Sequence, residues 1–434
     1  MEILNLLQGK AEAAEAYAVT NEAMKVRFEA GRLKTAETQE TSALAVRVVK
    51  DGRIGAAATT DMQRLDELAQ NALASAEHGE EAVFSFAPTE PATAVEVCSK
   101  RVASLGMAEL VEMGKEMVET VRAAEDDINI IVEIAKGIHH VRLANTLGQD
   151  VETSKTPLTV GLAVERVREN DVLFAWEDDG TTHPSEIHRA MAASLAEKLE
   201  RAKRSASVRS GKMPVVFSPS GAVLLVLPIM EGLSGKSAWR ETSPMAHKVG
   251  ERVFSDNLTV IDDGTLDQRP SSSPFDGEGV PTRRNVLIEQ GVLRSFYYDL
   301  KTAAQAGTVS TGNASRGVFG PPHPGITNLL VPPDDTPLAD IIGGIEEGLL
   351  VEGFLGMGQG NVISGAFGNS VSLAYKIERG EVVGRVKDVT ISGNIYEDLK
   401  HIEGLSDTSQ WCFGMLNAPY ILLADVTVAA RGEG

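Results

Sequence analysis

The chain has 434 residues, 43% hydrophobic and 24% charged, a globular composition too long for one ordinary core, so two or three domains are expected. Its 41 basic and 61 acidic residues leave a net charge of −20, which repels nucleic-acid phosphates and anionic lipid and argues against both as partners. Two cysteines, no basic-then-apolar leader at the start and no apolar run longer than 222–230 exclude a disulfide scaffold and a membrane span, so a cytoplasmic protein is expected.

Residues 2–14 read as a helix with Ile3, Leu6 and Leu7 on one side. Residues 15–33 and 41–60 read as strands, and Val46, Val48 and Val49 lead into Asp51-Gly52, a hairpin turn. Asp61 is placed to cap a helix whose inner face carries Leu65, Leu68, Ala69, Ala72 and Leu73. A proline-bearing connector, 80–96, leads to a helix at 107–124 with Leu110, Met113, Met117 and Val121 at helical spacing. Strands follow at 128–136, 138–146 and 159–170, then a helix over 183–206 rich in Ala, Leu, Glu and Lys. Helix, hairpin, helix and then helix, meander, helix make an α+β unit that occurs twice in loose form.

A short strand at 213–217 is broken by Ser218-Pro219-Ser220, and 221–230 is the best candidate for a buried helix. Beyond Gly232 the glycines accumulate and the strands shorten, with one further helix expected at 340–350. The expected fold is therefore α+β. An N-terminal α+β domain with antiparallel sheets and helices spans 1–210, as one unit or as subdomains of about 1–96 and 97–210. A C-terminal β-rich domain of barrel or sandwich type spans 211–434.

Within it, residues 271–317 read SSSPFDGEGVPTRRNVLIEQGVLRSFYYDLKTAAQAGTVSTGNASRG. Pro274, Gly277 and Gly279 punctuate a tight turn that carries Asp276 and Glu278. Alternating residues 284–289 and 292–298 flank Gln290-Gly291 as a hairpin, and a short helix leads to a second turn at Asn313. Asp276, Glu278 and Asn313 form the polar cluster to suspect for substrate binding or for hydrolysis. The competing reading is that they serve the backbone of their turns.

Other motifs fail on spacing. MEGLSGKS, 230–237, has Met230 where a phosphate loop needs its first glycine, and GFLGMGQG, 353–360, lacks the glycine order of a dinucleotide loop. His183 and His188 are five apart, so on a helix they diverge by about 140°. His139 and His140 are adjacent on a strand and face opposite sides. The aspartates around Asp262-Asp263-Gly264 lack the alternating order of a calcium loop, and Asp263-Gly264 reads instead as a hairpin turn. No G-x-S-x-G elbow occurs.

The order S-x-P-F-D-x-E-G, G-V-L and T-G-N-A-x-x-G in 271–317, with GQGNVISGAFGNSVSLAYKIERGEVVGRVKDVTISGN at 358–394, resembles the TldD/TldE (PmbA) peptidase family, once labelled modulator of DNA gyrase. The resemblance implies a fold and a metal question together. The TldD branch carries H-E-x-x-x-H before a G-L-x-G turn, with a cysteine near the C-terminus as a further zinc ligand. Gly232-Leu233-Ser234-Gly235 matches that turn. Counting back, Val226 and Glu231 occupy the two His positions and Leu227 the Glu position, with Pro228 inside the motif. Cys412 lies near the expected third ligand but, without His partners, reads as a structural cysteine. The implied protein is a TldE-like subunit with no cofactor of its own, zinc being expected in a TldD-like partner. Together the two would cleave unfolded or modified peptides. A homodimeric peptide-binding module and a hydrolase with another site are the alternatives.

Overall fold

The computed structural model describes residues 1–168, 171–356 and 361–431. The 358–394 block and the 353–360 glycine run therefore lie partly outside the described residues.

Seven strands make the first sheet: β1 (Ala13–Glu29), β2 (Arg32–Lys50), β3 (Arg53–Thr59), β4 (Asn129–Asn145), β5 (Asp150–Lys155), β6 (Leu158–Arg168) and β7 (Asp171–Thr181). Their order is β3-β2-β1-β4-β6-β7, with β5 added to β4, and every pairing is antiparallel. The β2–β3 turn forms where the sequence places it, with Asp51 and Gly52 at φ 51° and 68°, the mirror-image turn that matches strand twist.

Alternation along the strands decides what each face meets. On β1 and β4, Val26, Phe28, Ile130, Val132 and Ile134 pack under the helices Met107–Ala124 and Ile187–Ala202 through Leu110, Met117, Val121, Leu195 and Leu199. Ala14 and Ala16, with Val46 and Val48 of β2, close a smaller core beneath the helices Glu2–Leu7 and Leu65–Ser75. Among the described residues, the opposite face of β1 and β4 carries no helix.

The second sheet closes on itself. β8 (Gly211–Phe217) pairs in parallel with Glu347–Phe354 and antiparallel with Leu416–Ala430. Ala366–Glu378 and Val389–Asn394 complete the ring, so five strands form a closed barrel that removes its own edges. Val215, Phe217, Leu349 and Val351 join the core that holds the helix Val223–Gly232. Their neighbours Val216 and Leu350 join Leu373, Tyr375 and Ile377 in the core under the first sheet's helices. One barrel wall thus serves two cores, and the fold is α+β with a closed C-terminal barrel.

Several sequence expectations are corrected. The first helix stops at Leu7 because Gly9 turns at φ 74° and Ala13 already pairs with Val49. Asp61 does not cap the next helix, which starts at Leu65; its carboxylate accepts instead from the Gln63 N–H at 3.0 Å. Strands expected at 128–136 and 138–146 are one, β4, since pairing with β1 runs unbroken through Gly137 while the other neighbour changes from β6 to β5. The helix expected at 340–350 is Leu338–Gly343, followed by the strand Glu347–Phe354, because pairing with β8 outweighs local preference. Asp263-Gly264 is no hairpin: the strand Val260–Asp263 meets Arg284–Glu289 only after residues 264–283, and the Asp263 carboxylate accepts from the Thr265 N–H at 2.9 Å. Of 292–298, Val292–Leu293 alone is strand.

Candidate functional site

The uncovered face of β1, β4 and β5 is roofed by two segments of the C-terminal half, 270–282 and 313–327, leaving a groove of about 710 Å³. Its floor is Tyr17, Val19, Asn21 and Ala23 of β1 with Gly137, His139 and Val141 of β4 and Thr153 and Lys155 of β5. Asp276, Ala314 and Arg316 lie on the roof side. The floor's alternating strand residues suit pairing with an extended segment.

Behind the roof is a buried ionic chain. Arg47 donates to both oxygens of Glu15 at 3.0 Å and to Glu278 Oε1 at 2.9 Å, while Arg316 pairs with Glu15 and lies 4.5 Å over the Tyr17 ring. Glu15, Arg47 and Glu278 are all under 9% exposed, so these charges depend on one another. Burial would raise the Glu15 carboxyl, but Arg47 and Arg316 hold it below its ordinary value. Burial pushes Glu278 up against the pull of Arg47, and its second oxygen accepts the Leu300 N–H at 2.8 Å.

Asp276 spends both oxygens on the backbone. Oδ1 accepts from the N–H groups of Glu278 and Val280 at 2.8 and 3.0 Å, and Oδ2 from Ala314 at 2.9 Å. Burial and the nearby Glu278 charge push its carboxyl up to about 8. The side chain thereby ties the 276–280 turn to the 313–314 segment, the two halves of the roof. Asn313 does the same one layer on: its amide donates to Asp262 Oδ2 at 2.5 Å and to the Gly325 carbonyl at 3.0 Å, and its oxygen accepts from Asn285 and Thr311. Asp262, buried, is pushed up to about 6. Asp276 and Asn313 both border the groove, whereas Glu278 faces Arg47 behind it.

Asp299 caps the helix Leu300–Gln305 by accepting the Thr302 N–H at 2.7 Å. Asp299→Ala should cost about 1 kcal/mol of stability in urea unfolding, the ordinary value of a lost N-cap.

The other candidate residues do not converge. His183 sits 3.1 Å from Glu96 and the buried His188 3.3 Å from Glu116, two unrelated pairs. Val226 is buried in the barrel core with Leu227 packed beside it, and Glu231 is exposed. The Cys412 thiol is buried, donates to the Pro219 carbonyl at 3.4 Å and is pushed well up by burial. Among the described residues, no three His, Cys, Asp or Glu side chains gather where a metal ion could sit. No helix among them is long and apolar enough to cross a membrane. Sequence reading missed Glu15, Arg47 and Arg316, which pair with one another and with Glu278 across 32 to 301 positions of the chain, and the floor residue Lys155. The one local signal was a charged residue interrupting an alternating strand.

Residues 210–430 match the PmbA/TldA metallopeptidase C-terminal domain, and residues 14–76 match PmbA/TldA metallopeptidase domain 1. A metalloprotease of Methanothermobacter thermautotrophicus is 27% identical over 413 residues, 93% of this chain and 90% of that one. A Haemophilus influenzae metalloprotease, a TldD homologue, is 35% identical over 208 residues, 48% of this chain and 43% of that one. The crystal structure of TldE from Thermococcus kodakarensis has the same fold, with a TM-score of 0.91 at 24% identity over 99% of both chains.

Proposed function

The chain belongs to the PmbA/TldD metallopeptidase family, and within it we propose that this protein is the TldE-like subunit of a cytoplasmic TldD–TldE metalloprotease. In this reading it supplies no zinc ligand, pairs with a TldD-like chain that holds zinc and the general base, and helps to hold unfolded or modified peptides in an extended form. The observation that carries the reading is the helix Val223–Gly232. Zinc activates water when three protein ligands leave one position open. Val226 and Leu227 offer no donor atom, Glu231 points away from the core that they enter, and Cys412 is committed to the Pro219 carbonyl. These residues do not fit a zinc ion, so no chemical step is assigned to them. The groove over β1, β4 and β5 gives the chain a place for a peptide without a hydrolytic centre.

The test is assembly. The purified chain and a TldD-like protein, mixed and examined by size exclusion with light scattering, should form a complex heavier than either alone. A chain that self-associates and ignores the TldD-like protein would instead support the homodimeric binding module and overturn this reading.

A further inference from the structure

The strand register lines up three polar residues across the floor of the groove. Asn21 of β1 is paired with His139 of β4, and His139 with Lys155 of β5. The β1 and β4 positions on each side are apolar or small, Val19 opposite Val141 on one flank and Ala23 opposite Gly137 on the other, with Thr153 of β5 beside Val141.

Lys155 ends this row on β5. Its ammonium is half-buried, donates to the Pro270 carbonyl of the roof at 3.4 Å, and has no ion pair among the described residues. Burial alone drives its titration down to about 8. His139, half-buried beside it, is pushed below its ordinary value by burial and by the Lys155 charge, so near neutral pH it stands as a neutral hydrogen-bonding ring. That ring lies over Gly137, where a Cβ would come within 2.4 Å of Nε2; the glycine makes room for it.

The charge of the groove is opposite to that of the chain. In a protein of net charge −20, Asp276 is the sole acidic side chain on its lining among the described residues, and both of its oxygens are occupied by backbone N–H groups. Lys25, Lys136, Lys155 and Arg316 line the same space. Arg316 is neutralised by Glu15, Lys25 is exposed, and Lys136 turns its ammonium to the carbonyls of Ala103 and Leu105, which leaves Lys155 as the half-buried cation without a charged partner among the described residues.

We infer that the Asn21–His139–Lys155 row is a carboxylate subsite, which seats an acidic group of an extended peptide against the Lys155 ammonium. The carboxylate can be the peptide's own C-terminus or an acidic side chain. The inference rests on the reading of the groove as a peptide-holding site and adds the chemistry that selects and orients the peptide. An ammonium–carboxylate hydrogen bond in an enclosed site is among the stronger polar contacts available.

Three versions of one fluorescent, unstructured peptide separate the possibilities: a free C-terminus with no acidic side chain, the C-terminal amide, and the amide with one internal Glu. Binding to the full chain, alone and in its complex with a TldD-like protein, is read by anisotropy. At least one carboxylate-bearing peptide should bind about tenfold tighter than the neutral amide, the scale of one charge-assisted hydrogen bond. Lys155→Met should abolish that preference, so that the carboxylate-bearing peptides bind no tighter than the neutral amide. Which acidic peptide gains identifies the source of the carboxylate. Equal binding of all three peptides would overturn the subsite and leave the peptide-holding groove standing. Failure of every peptide to bind in either form would overturn the groove reading itself and the subsite with it.

Discussion

Arg47→Met should be the most damaging single substitution in the molecule away from the apolar cores. It removes the cation between Glu15 and Glu278, both of them buried, and leaves Arg316 to neutralise Glu15 alone. Breaking a buried ion pair from one side typically costs about 3–5 kcal/mol, because the orphaned charge has neither water nor partner. Arg47 also lies 5.2 Å from the Phe86 ring and 5.6 Å from the Phe84 ring, so the truncation loosens the connector as well. Adding Glu278→Gln should recover part of the loss, since the uncompensated carboxylate then disappears. The sign with pH follows from Glu278, whose folded titration is already raised by burial. In the Arg47→Met protein it rises further, so the folded state holds a proton more tightly than the unfolded one. The deficit should therefore shrink as pH falls below neutrality. Urea unfolding of the three proteins at two pH values reads all of this. A loss below about 1 kcal/mol, the value of an exposed pair, would mean that water reaches the network.

Lys155→Met should act in the opposite direction and stabilise the free protein at neutral pH. The folded ammonium titrates at about 8 against an ordinary 10.5. Between those values the unfolded chain binds more protons, so stability rises with pH across this window. Below pH 8 the folded state carries the full cost of the charge, and above 10.5 none of it. A shift of this size corresponds to at most about 3 kcal/mol, and partial access to water reduces it to about 1–2 kcal/mol. Groups facing the lysine do not reverse the sign: His139 is neutral above its lowered titration point, Arg316 is paired, and Asp276 is occupied by backbone donors. Thermal unfolding of wild type and variant from pH 7 to 10.5 should show a gap that closes with rising pH. A gap that is constant, or a variant less stable than wild type at pH 7, would mean that the lysine is compensated in the free protein. A cation that destabilises the empty protein is a sign of a site whose partner arrives from outside.

How much of this could be read from sequence depended on distance along the chain. The helix Met107–Ala124 and the turns at Asp51-Gly52 and Gln290-Gly291 are local facts. They are set by apolar spacing and by residues that sit at positive φ, and they were legible to the residue. Segments whose state is decided by a distant neighbour were not. β5 (DVETSK) is polar at every position but Val151 and is a strand only because β4 continues past β6. The strand Glu347–Phe354 lies where helix was expected because β8, more than a hundred residues earlier, offers it an edge. Barrel closure through β8 and Leu416–Ala430 joins the two ends of the C-terminal half, which no local pattern announces.

The site divides in the same way. Asp276 and Asn313 were picked out because glycine-rich turns with acidic or amide residues are recognisable, and their hydrogen bonds explain why those residue types stand there. Glu278 was picked out for the same reason, but its main partner, Arg47, is 231 positions away. The groove floor became visible only with the register of three strands. A row made of one residue from each of β1, β4 and β5 has no signature in any single stretch.

The most direct test of the account is the zinc content and peptidase activity of the purified chain, alone and mixed with a TldD-like partner. The account predicts no stoichiometric zinc and no cleavage of an unstructured peptide by the chain alone, with cleavage in the mixture. Bound zinc and cleavage by the chain alone would contradict it. The correspondence of Val226, Leu227 and Glu231 with the metal motif would then be wrong, and the ligands would have to be sought around Cys412.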